Sequence, residues 1–458
     1  MERPRRNTKR KASETTETPD GPACDLLDRA CSPLSPQEIE AWPGWIELES
    51  EPAFFNIILR DLGVKNVKTQ ELFTIDQASL DALTKPVFGL IFLFQYGPEH
   101  EEDEQTANAD SELWFANQAR LYPILILPTL FIHGLREGQT PNSCSQTTNN
   151  ACATVALLNI IMNADNLDLG ERLQNFKEST KGLSTAIRGH SISSNSFIRK
   201  IHNSFTRRMD QLNADLCLEN DVSDSKKSVS RKASKKKHLS RKAALEEYGY
   251  HFVAYVPCNG NVWELDGLRN NPLKLGPLNS EDWTNIARPH IEARILQYED
   301  SQLSFNLLAV CRDPLLQHSQ TIASLLAVLR FIRSRMADSH VFNELISAEE
   351  PLLDINNQAQ LAEFHLTRSD IEDTEIPDHL LAAASRASRE IQDAYELYQK
   401  LCIEAKAAMG EFRAELIAVE EDERRVKGRK RDYGSALHSW VKKLAEKGVL
   451  EDIIKMSS

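Results

Sequence analysis

Three side chains in this 458-residue chain are of the types needed to transfer an acyl group to a thiol: Cys152, His251 and Asp266, in that chain order. A cysteine thiolate attacks a carbonyl carbon, a histidine takes up and returns the proton, and a carboxylate orients the imidazole. A free thiol titrates near about 8.5, so such a cysteine also needs surroundings that favour its thiolate. Taken singly, a buried cysteine is more often part of a core, so the neighbouring elements decide the interpretation.

The sequence after Cys152 predicts a buried helix. Residues 153–162 are almost entirely apolar over a helical length, and Asn149 and Asn150 just before them are residue types that often cap helix N-termini. Cys152 is therefore expected in the first helical turn, where the helix dipole favours the thiolate.

The sequence around His251 predicts a β-hairpin. His251 begins the alternating run HFVAYV, and Asn259-Gly260 favours a two-residue turn. The returning strand, 262–265, ends at Asp266. This hairpin would bring Asp266 beside His251, where its carboxylate can accept the imidazole N–H and fix the tautomer.

Composition excludes several classes of function. The net charge of −13 argues against direct nucleic-acid binding by the whole chain. There is no apolar run of 18 residues and no signal-peptide pattern, so no membrane association is expected. The eight cysteines include no CxxC pair, which predicts neither a zinc site nor a disulfide framework, and no metal or organic cofactor is expected.

Several longer sequence words resemble those of the ubiquitin carboxyl-terminal hydrolases, papain-like cysteine deubiquitinases with a knotted backbone. They occur in that family's order: GWIELESEPAFF (44–55), LGVKNV (62–67), KPVFGLIFLF (85–94), WFANQ (114–118), NNACAT (149–154), HNSF (202–205), HFVAYVPCNGNVWELDGL (251–268) and FNLLAV (305–310). The resemblance implies an α+β domain with a central, mostly antiparallel sheet flanked by helices. It also implies hydrolysis at the C-terminal glycine of ubiquitin through an acyl-enzyme on Cys152, with His251 as general base and acid and Asp266 as its orienting residue.

The family also uses a glutamine six residues before the cysteine as the oxyanion donor, and Gln146 occupies that position. In the family, however, a WFANQ-like word runs directly into the NNACAT-like word, whereas here residues 119–146 separate them. Without this insert, Gln118 would take the oxyanion position. The insert is either a translated intron or a functional loop, and for the chain as written Gln146 is the predicted donor.

The resemblance and the changes in composition together divide the chain. The predicted parts are a disordered basic and polar tail (1–43), the catalytic domain (44–313) with the insert 119–146 and a basic crossover-loop insert (219–247), a helical or coiled-coil linker (314–426), and a C-terminal helical domain (427–458). The last part resembles the extension by which the larger family members bind adaptor proteins with a DEUBAD-type domain.

Recruitment to the proteasome or to a chromatin complex is therefore expected, with the proteasome-associated branch as the closer match, in the cytoplasm and the nucleus. An alternative function is a catalytically weak ubiquitin-binding scaffold, in which the insert disturbs the oxyanion site.

Overall fold

A computed structural model describes residues 30–96, 113–118, 150–217, 219, 249–278, 282–299, 305–347 and 352–457. Its central feature is a six-stranded sheet with the order β1-β6-β2-β3-β4-β5, in which every pairing is antiparallel. The strands are Val67–Leu72 (β1), Val87–Tyr96 (β2), Gly249–Cys258 (β3), Asn261–Asp266 (β4), Leu273–Pro277 (β5) and Phe305–Arg312 (β6). Helices flank this sheet, so the predicted α+β fold class is confirmed.

The helices of this N-terminal part are Pro36–Ala41 (α1), Pro52–Leu62 (α2), Gln77–Asp81 (α3), Cys152–Ile161 (α4), Gly170–Thr180 (α5), Thr185–Ser194 (α6), Ser196–His202 (α7), 208–217 (α8) and Thr284–Glu299 (α9). Every residue of α4 after Cys152 is buried, as expected for a helix that is apolar on all sides. Gly89 on β2 permits close packing of α4 on the sheet, because a Cβ there would lie 2.7 Å from the Ile160 side chain. On the opposite face, α9 packs over β4 and β5.

The predicted hairpin is formed by β3 and β4. Asn259 and Gly260 both have positive φ, 50° and 67°, as a type I′ turn requires. The register then pairs Cys258 with Asn261 next to the turn and Val253 with Asp266 at the far end. The two-residue turn therefore determines how far back along β3 the carboxylate of Asp266 reaches.

The prediction of a disordered tail over residues 1–43 is wrong for residues 30–43. Ser35 and Glu38 form a capping box that begins α1. Glu38 also pairs with Arg208 at 2.8 Å, and the buried Trp42 donates to Asp215 at 3.0 Å. These contacts order a segment whose composition alone suggested none. Residues 1–29, 97–112 and the basic insert 219–247, apart from Glu219, lie outside the described residues.

A second hydrophobic core lies in the region predicted as a linker. Its helices are Pro314–Arg335 (α10), His340–Ser347 (α11), Gln358–Ala362 (α12), Arg368–Glu372 (α13), Asp378–Ala387 (α14) and the 39-residue Ile391–Arg429 (α15). The coiled-coil pattern predicted for this region is an apolar seam along α15. It packs mainly against α10, with Tyr398, Met409 and Phe412 buried, whereas Ile391 at its start is exposed. This region is therefore a packed helical unit and not a linker, because the seam is buried within it.

By length and mean hydropathy, α10 is the one described helix that could cross a membrane, but just over half of its apolar window is buried in this core.

The last third of α15 packs against the catalytic part, chiefly through polar contacts. Arg60 pairs with Glu423 at 2.8 Å, and Arg429 pairs with Glu49 and Asp210, each at 2.8 Å. Beyond it, Gly434–Glu446 (α16) and Leu450–Ser457 (α17) complete the described chain. The boundary predicted between 426 and 427 therefore falls inside the continuous helix α15.

Candidate active site

Cys152 is the first residue of α4, which agrees with its expected place at a helix start. The predicted asparagine cap is wrong for Asn150, which adopts a left-handed conformation with φ of 66° and donates its side-chain amide to the Trp45 carbonyl at 3.2 Å. Ala151 is the N-cap residue instead. The Cys152 thiol is only partly buried and so remains accessible to a substrate.

His251 and Asp266 form the tightest polar contact of the site. Nε2 of His251 lies 2.6 Å from Oδ1 of Asp266, and both side chains are almost completely buried. The Leu268 backbone N–H also donates to Asp266 Oδ1, at 2.8 Å. Burial would raise the pKa of Asp266, but the charge and hydrogen bond of His251 hold it below its usual value.

The imidazole links this carboxylate to the thiol. Burial alone would lower the pKa of His251, but the charge and hydrogen bond of Asp266, with a hydrogen bond to Cys152, raise it to about 9. Because Nε2 is engaged by Asp266, Nδ1 is the ring nitrogen left for the thiol. The structure thus brings together Cys152, His251 and Asp266 in the order thiol, imidazole, carboxylate.

The structure places Gln118 beside this triad. The Gln118 N–H donates to the Gly267 carbonyl at 2.7 Å, directly after Asp266. A Cβ built on Gly267 would lie 3.3 Å from Gln118 Cγ and 3.4 Å from Cγ1 of Val155, one turn along α4 from the thiol. Gln118 is buried between the end of the Asp266 strand and the Cys152 helix. Gln146 lies outside the described residues.

Two asparagines, Asn159 on α4 and Asn163 just past its end, hold the segment that delivers Gln118. Asn159 accepts from the Ala116 N–H at 2.9 Å and donates to its carbonyl at 3.1 Å. Asn163 does the same for the N–H and carbonyl of Trp114, at 2.9 and 2.7 Å. These side-chain amides replace the backbone ladder of a neighbouring strand, so residues 113–118 are fixed on the nucleophile's own helix.

Arg188 fixes the same segment from the other side. Its guanidinium donates to the carbonyls of Leu113 and Phe115, at 3.2 and 3.3 Å. This role of Arg188 and of the two asparagines was missed at the level of sequence. The available signal was a pair of asparagines four residues apart, one in an apolar helix and one just past its end, because a buried amide needs a partner.

The family model for ubiquitin carboxyl-terminal hydrolase, family 1, matches residues 45–121 and 136–296, more than half of the chain. The chain belongs to this family. The match is interrupted at 122–135, inside the insert predicted between Gln118 and the nucleophile. Family membership, predicted from the sequence words, is thereby confirmed.

Two curated relatives of this hydrolase-family chain show how much of such proteins it spans. Ubiquitin carboxyl-terminal hydrolase isozyme L5 of Dictyostelium discoideum is 32% identical over 59% of this chain and 62% of its own length. Ubiquitin carboxyl-terminal hydrolase 2 of Schizosaccharomyces pombe is 30% identical over 59% of this chain and 73% of its own. The matched region thus covers less than two thirds of the Dictyostelium relative.

Among solved structures, Trichinella spiralis UCH37 bound to ubiquitin vinyl methyl ester is 27% identical, with a TM-score of 0.41; the match covers 66% of this chain and 94% of that one.

Within the part of the chain that the structure describes, no three His, Cys, Asp or Glu side chains are grouped so as to hold a metal ion.

Proposed function

We propose that this chain is a thiol-dependent deubiquitinase that hydrolyses the bond at the C-terminal glycine of ubiquitin. The observation that carries the proposal is the continuous polar contact from the Cys152 thiol through His251 to Asp266, at the start of a buried helix. A structural cysteine would not need a buried imidazole whose other nitrogen is held by a carboxylate. Family membership supplies ubiquitin as the substrate.

Each step uses a group already in position. The Cys152 thiolate attacks the glycine carbonyl, and the His251 imidazolium gives its proton to the departing lysine amine. Water then attacks the thioester, His251 takes up the water proton, and the thiolate and a carboxylic acid are released. Asp266 stabilises the imidazolium throughout.

The oxyanion would be stabilised by two donors. The backbone N–H of Cys152, in the first helical turn, has no intrahelical acceptor. We assign the Gln118 amide as the second donor, because its segment is pinned to α4 while the insert lies beyond it. This assignment replaces the sequence-based choice of Gln146.

Hydrolysis of ubiquitin carrying a fluorogenic C-terminal amide tests the proposed activity. Thiol-dependent release of the fluorophore is expected, and no release together with saturable ubiquitin binding would favour the scaffold alternative. The same assay with a short peptide amide bearing the C-terminal residues of ubiquitin separates chemistry from recognition of the folded protein.

Replacing Gln118 by alanine is expected to lower kcat by roughly 10²–10³, the usual loss for one oxyanion donor. Gln146→Ala is the matched control and should retain parental turnover. Steady-state kinetics on the ubiquitin amide give both values. A silent Gln118→Ala with a strongly impaired Gln146→Ala would restore the assignment made from the sequence.

An apolar groove near the site offers a surface for ubiquitin. It has a volume of about 350 Å³, and its lining includes Phe73, Leu296 and Phe305. In the sheet register His251 pairs with Phe94, and Phe94 pairs with Phe305. The groove therefore adjoins the strand ends that carry the imidazole, about 10 Å away across two strand spacings. Phe73 is 85% exposed, which is unusual for so large an apolar side chain.

Phe73→Ser is expected to raise KM for the ubiquitin amide about tenfold, the size of one lost apolar anchor, with little change in kcat. The short peptide amide should be cleaved as by the parent, because it cannot reach the groove. Ile403→Ser, which alters another exposed apolar residue, 68% exposed and located on α15, is the control. A loss of kcat on both substrates would instead show that Phe73 supports the site itself.

We further propose that α16 and α17 bind a DEUBAD-type adaptor, proteasomal or chromatin-associated. None of the residues of α16 is buried, and Leu437 and Trp440 are both more than half exposed. Ile454 and Met456 continue the exposed apolar surface onto α17. Cytoplasmic and nuclear residence, supported by the basic cluster Arg3–Lys11, is part of the same proposal and is tested by localising a tagged chain with and without that cluster.

Trp440→Ala is expected to weaken binding of a purified DEUBAD domain by at least about tenfold, since exposed tryptophans are frequent anchors of interfaces. Titration calorimetry on the full chain measures the change, and the kinetics on the ubiquitin amide without adaptor should stay parental. Lys442→Ala, two residues away, is the matched control. Equal affinities for the parent and Trp440→Ala would remove this helix from the proposed interface.

A further inference from the structure

A second buried carboxylate, Glu264, lies beside the catalytic pair. Only 2% of its surface is exposed, and its Oε1 is 2.8 Å from Nη2 of Arg294 on α9. Arg269 lies between the two carboxylates, with Nη2 3.8 Å from Glu264 Oε1 and Nε 3.6 Å from Asp266 Oδ2. Two carboxylates and two guanidinium groups thus form one layer under the imidazole.

The strand register explains why these groups share one face of the sheet. Glu264 and Asp266 are two residues apart on β4 and therefore point to the same side. Tyr255 on β3 pairs with Glu264 on β4, and His251 lies on the same face of β3 as Tyr255. The face is covered by α9, which contributes Arg294.

The layer also reaches the imidazole through an aromatic ring. The Arg294 guanidinium lies 5.3 Å from the centroid of the Phe94 ring, within cation–π distance. The same ring also contacts His251 edge-on, with 5.9 Å between the two ring centroids. Arg294 thus touches both Glu264 and the ring that flanks the catalytic histidine.

We propose that Glu264, with Arg269 and Arg294, is a positioning residue of the hydrolase. The layer holds Asp266 in place and balances its charge, so that the His251 imidazolium is left to pair with the Cys152 thiolate. This inference rests on the proposed function, since it concerns the protonation of the residue that serves the leaving group.

The charges that face His251 support this balance. The two negative charges of Asp266 and Glu264 are offset by the two positive charges of Arg269 and Arg294. The remaining negative charge that faces the imidazolium is the Cys152 thiolate from α4. Tyr255 is buried, and burial raises its pKa well above the usual value, so it adds no charge. Burial raises the pKa of Glu264, while the charge of Arg294 opposes that rise and favours the carboxylate.

The decisive measurement is the pH profile of kcat/KM on the ubiquitin amide. Glu264→Gln removes a negative charge near the imidazolium, so its alkaline limb should move down by about one pH unit. Arg269→Gln removes a positive charge, so its limb should move up by a similar amount. The double variant should lie close to the parent. A merely structural role would change stability or kcat without these opposite shifts.

Arg288→Gln is the control. Arg288 lies on α9, like Arg294, but it pairs with Glu292 at 2.7 Å, outside this layer. Its limb should coincide with that of the parent. Arg269 is partly exposed, so its variant carries the test even when Glu264→Gln does not fold. Limbs that coincide for the parent and Arg269→Gln would overturn the inference. A parent without turnover would instead refute the proposed function itself.

Discussion

Cys152→Ala is expected to lose all detectable hydrolysis of the ubiquitin amide while binding ubiquitin with parental affinity. In the proposed mechanism the sulfur forms the acyl-enzyme, and alanine has no atom that can do so. Alanine suits the first helical turn, so α4 and the surfaces that contact ubiquitin should be unchanged. Turnover and equilibrium binding, measured on the same preparation, check both halves of this prediction.

Cys144→Ala is the matched control for the nucleophile, because Cys144 lies eight residues earlier in the chain. It should turn over at the parental rate. Retained hydrolysis in Cys152→Ala combined with its loss in Cys144→Ala would transfer the nucleophile to the other cysteine.

Asp266→Asn is expected to lower kcat by about 10³–10⁴, and His251→Ala by more, because the carboxylate acts only through the imidazole. An asparagine keeps the shape of Asp266 but can neither balance the imidazolium nor enforce the same tautomer. Steady-state kinetics and thermal unfolding should be measured together, so that a loss of fold is not read as a loss of chemistry. Parental turnover in Asp266→Asn would show that the hairpin does not serve the site.

The pH profile of kcat/KM shows whether Asp266 raises or lowers the pKa of His251. Because the pKa of His251 is raised to about 9 in the folded protein, the imidazolium persists at neutral pH and is lost as the pH rises through 9. The alkaline limb of the parent should therefore lie near pH 9. In Asp266→Asn the alkaline limb should move to lower pH, because the charge and hydrogen bond that raise the His251 pKa are lost while burial still lowers it.

The triad was predictable because local rules place each of its members. Helix patterning located Cys152, and the Asn259-Gly260 turn determined the register that brings Asp266 to His251. Both signals extend over fewer than 20 residues. A tight turn leaves little freedom in strand pairing, so this part of the site follows from the sequence.

The place of Gln118 was not predictable in the same way. Covalent proximity favoured Gln146, six residues from the nucleophile, whereas Gln118 is 34 residues away. The deciding contacts are the amides of Asn159 and Asn163, which bind the backbone of residues 113–118. Such contacts between distant segments leave no periodicity in a single sequence.

The packing of the C-terminal half was also only partly predictable from the sequence. The seam on α15 was visible as an apolar stripe, but a stripe does not say what covers it. Here α10 covers its first part, while Arg425 and Arg429 form ion pairs with Glu51 and Glu49 of the catalytic part. Ion pairs between segments nearly 400 residues apart cannot be deduced from spacing.

Labelling with ubiquitin that carries a C-terminal electrophile, followed by mass spectrometry of the digested adduct, tests the central claim most directly. The account predicts one ubiquitin per chain, attached to Cys152, with labelling abolished in Cys152→Ala and retained in Cys144→Ala. An adduct on another of the eight cysteines, or no adduct on a folded protein that binds ubiquitin, would contradict it.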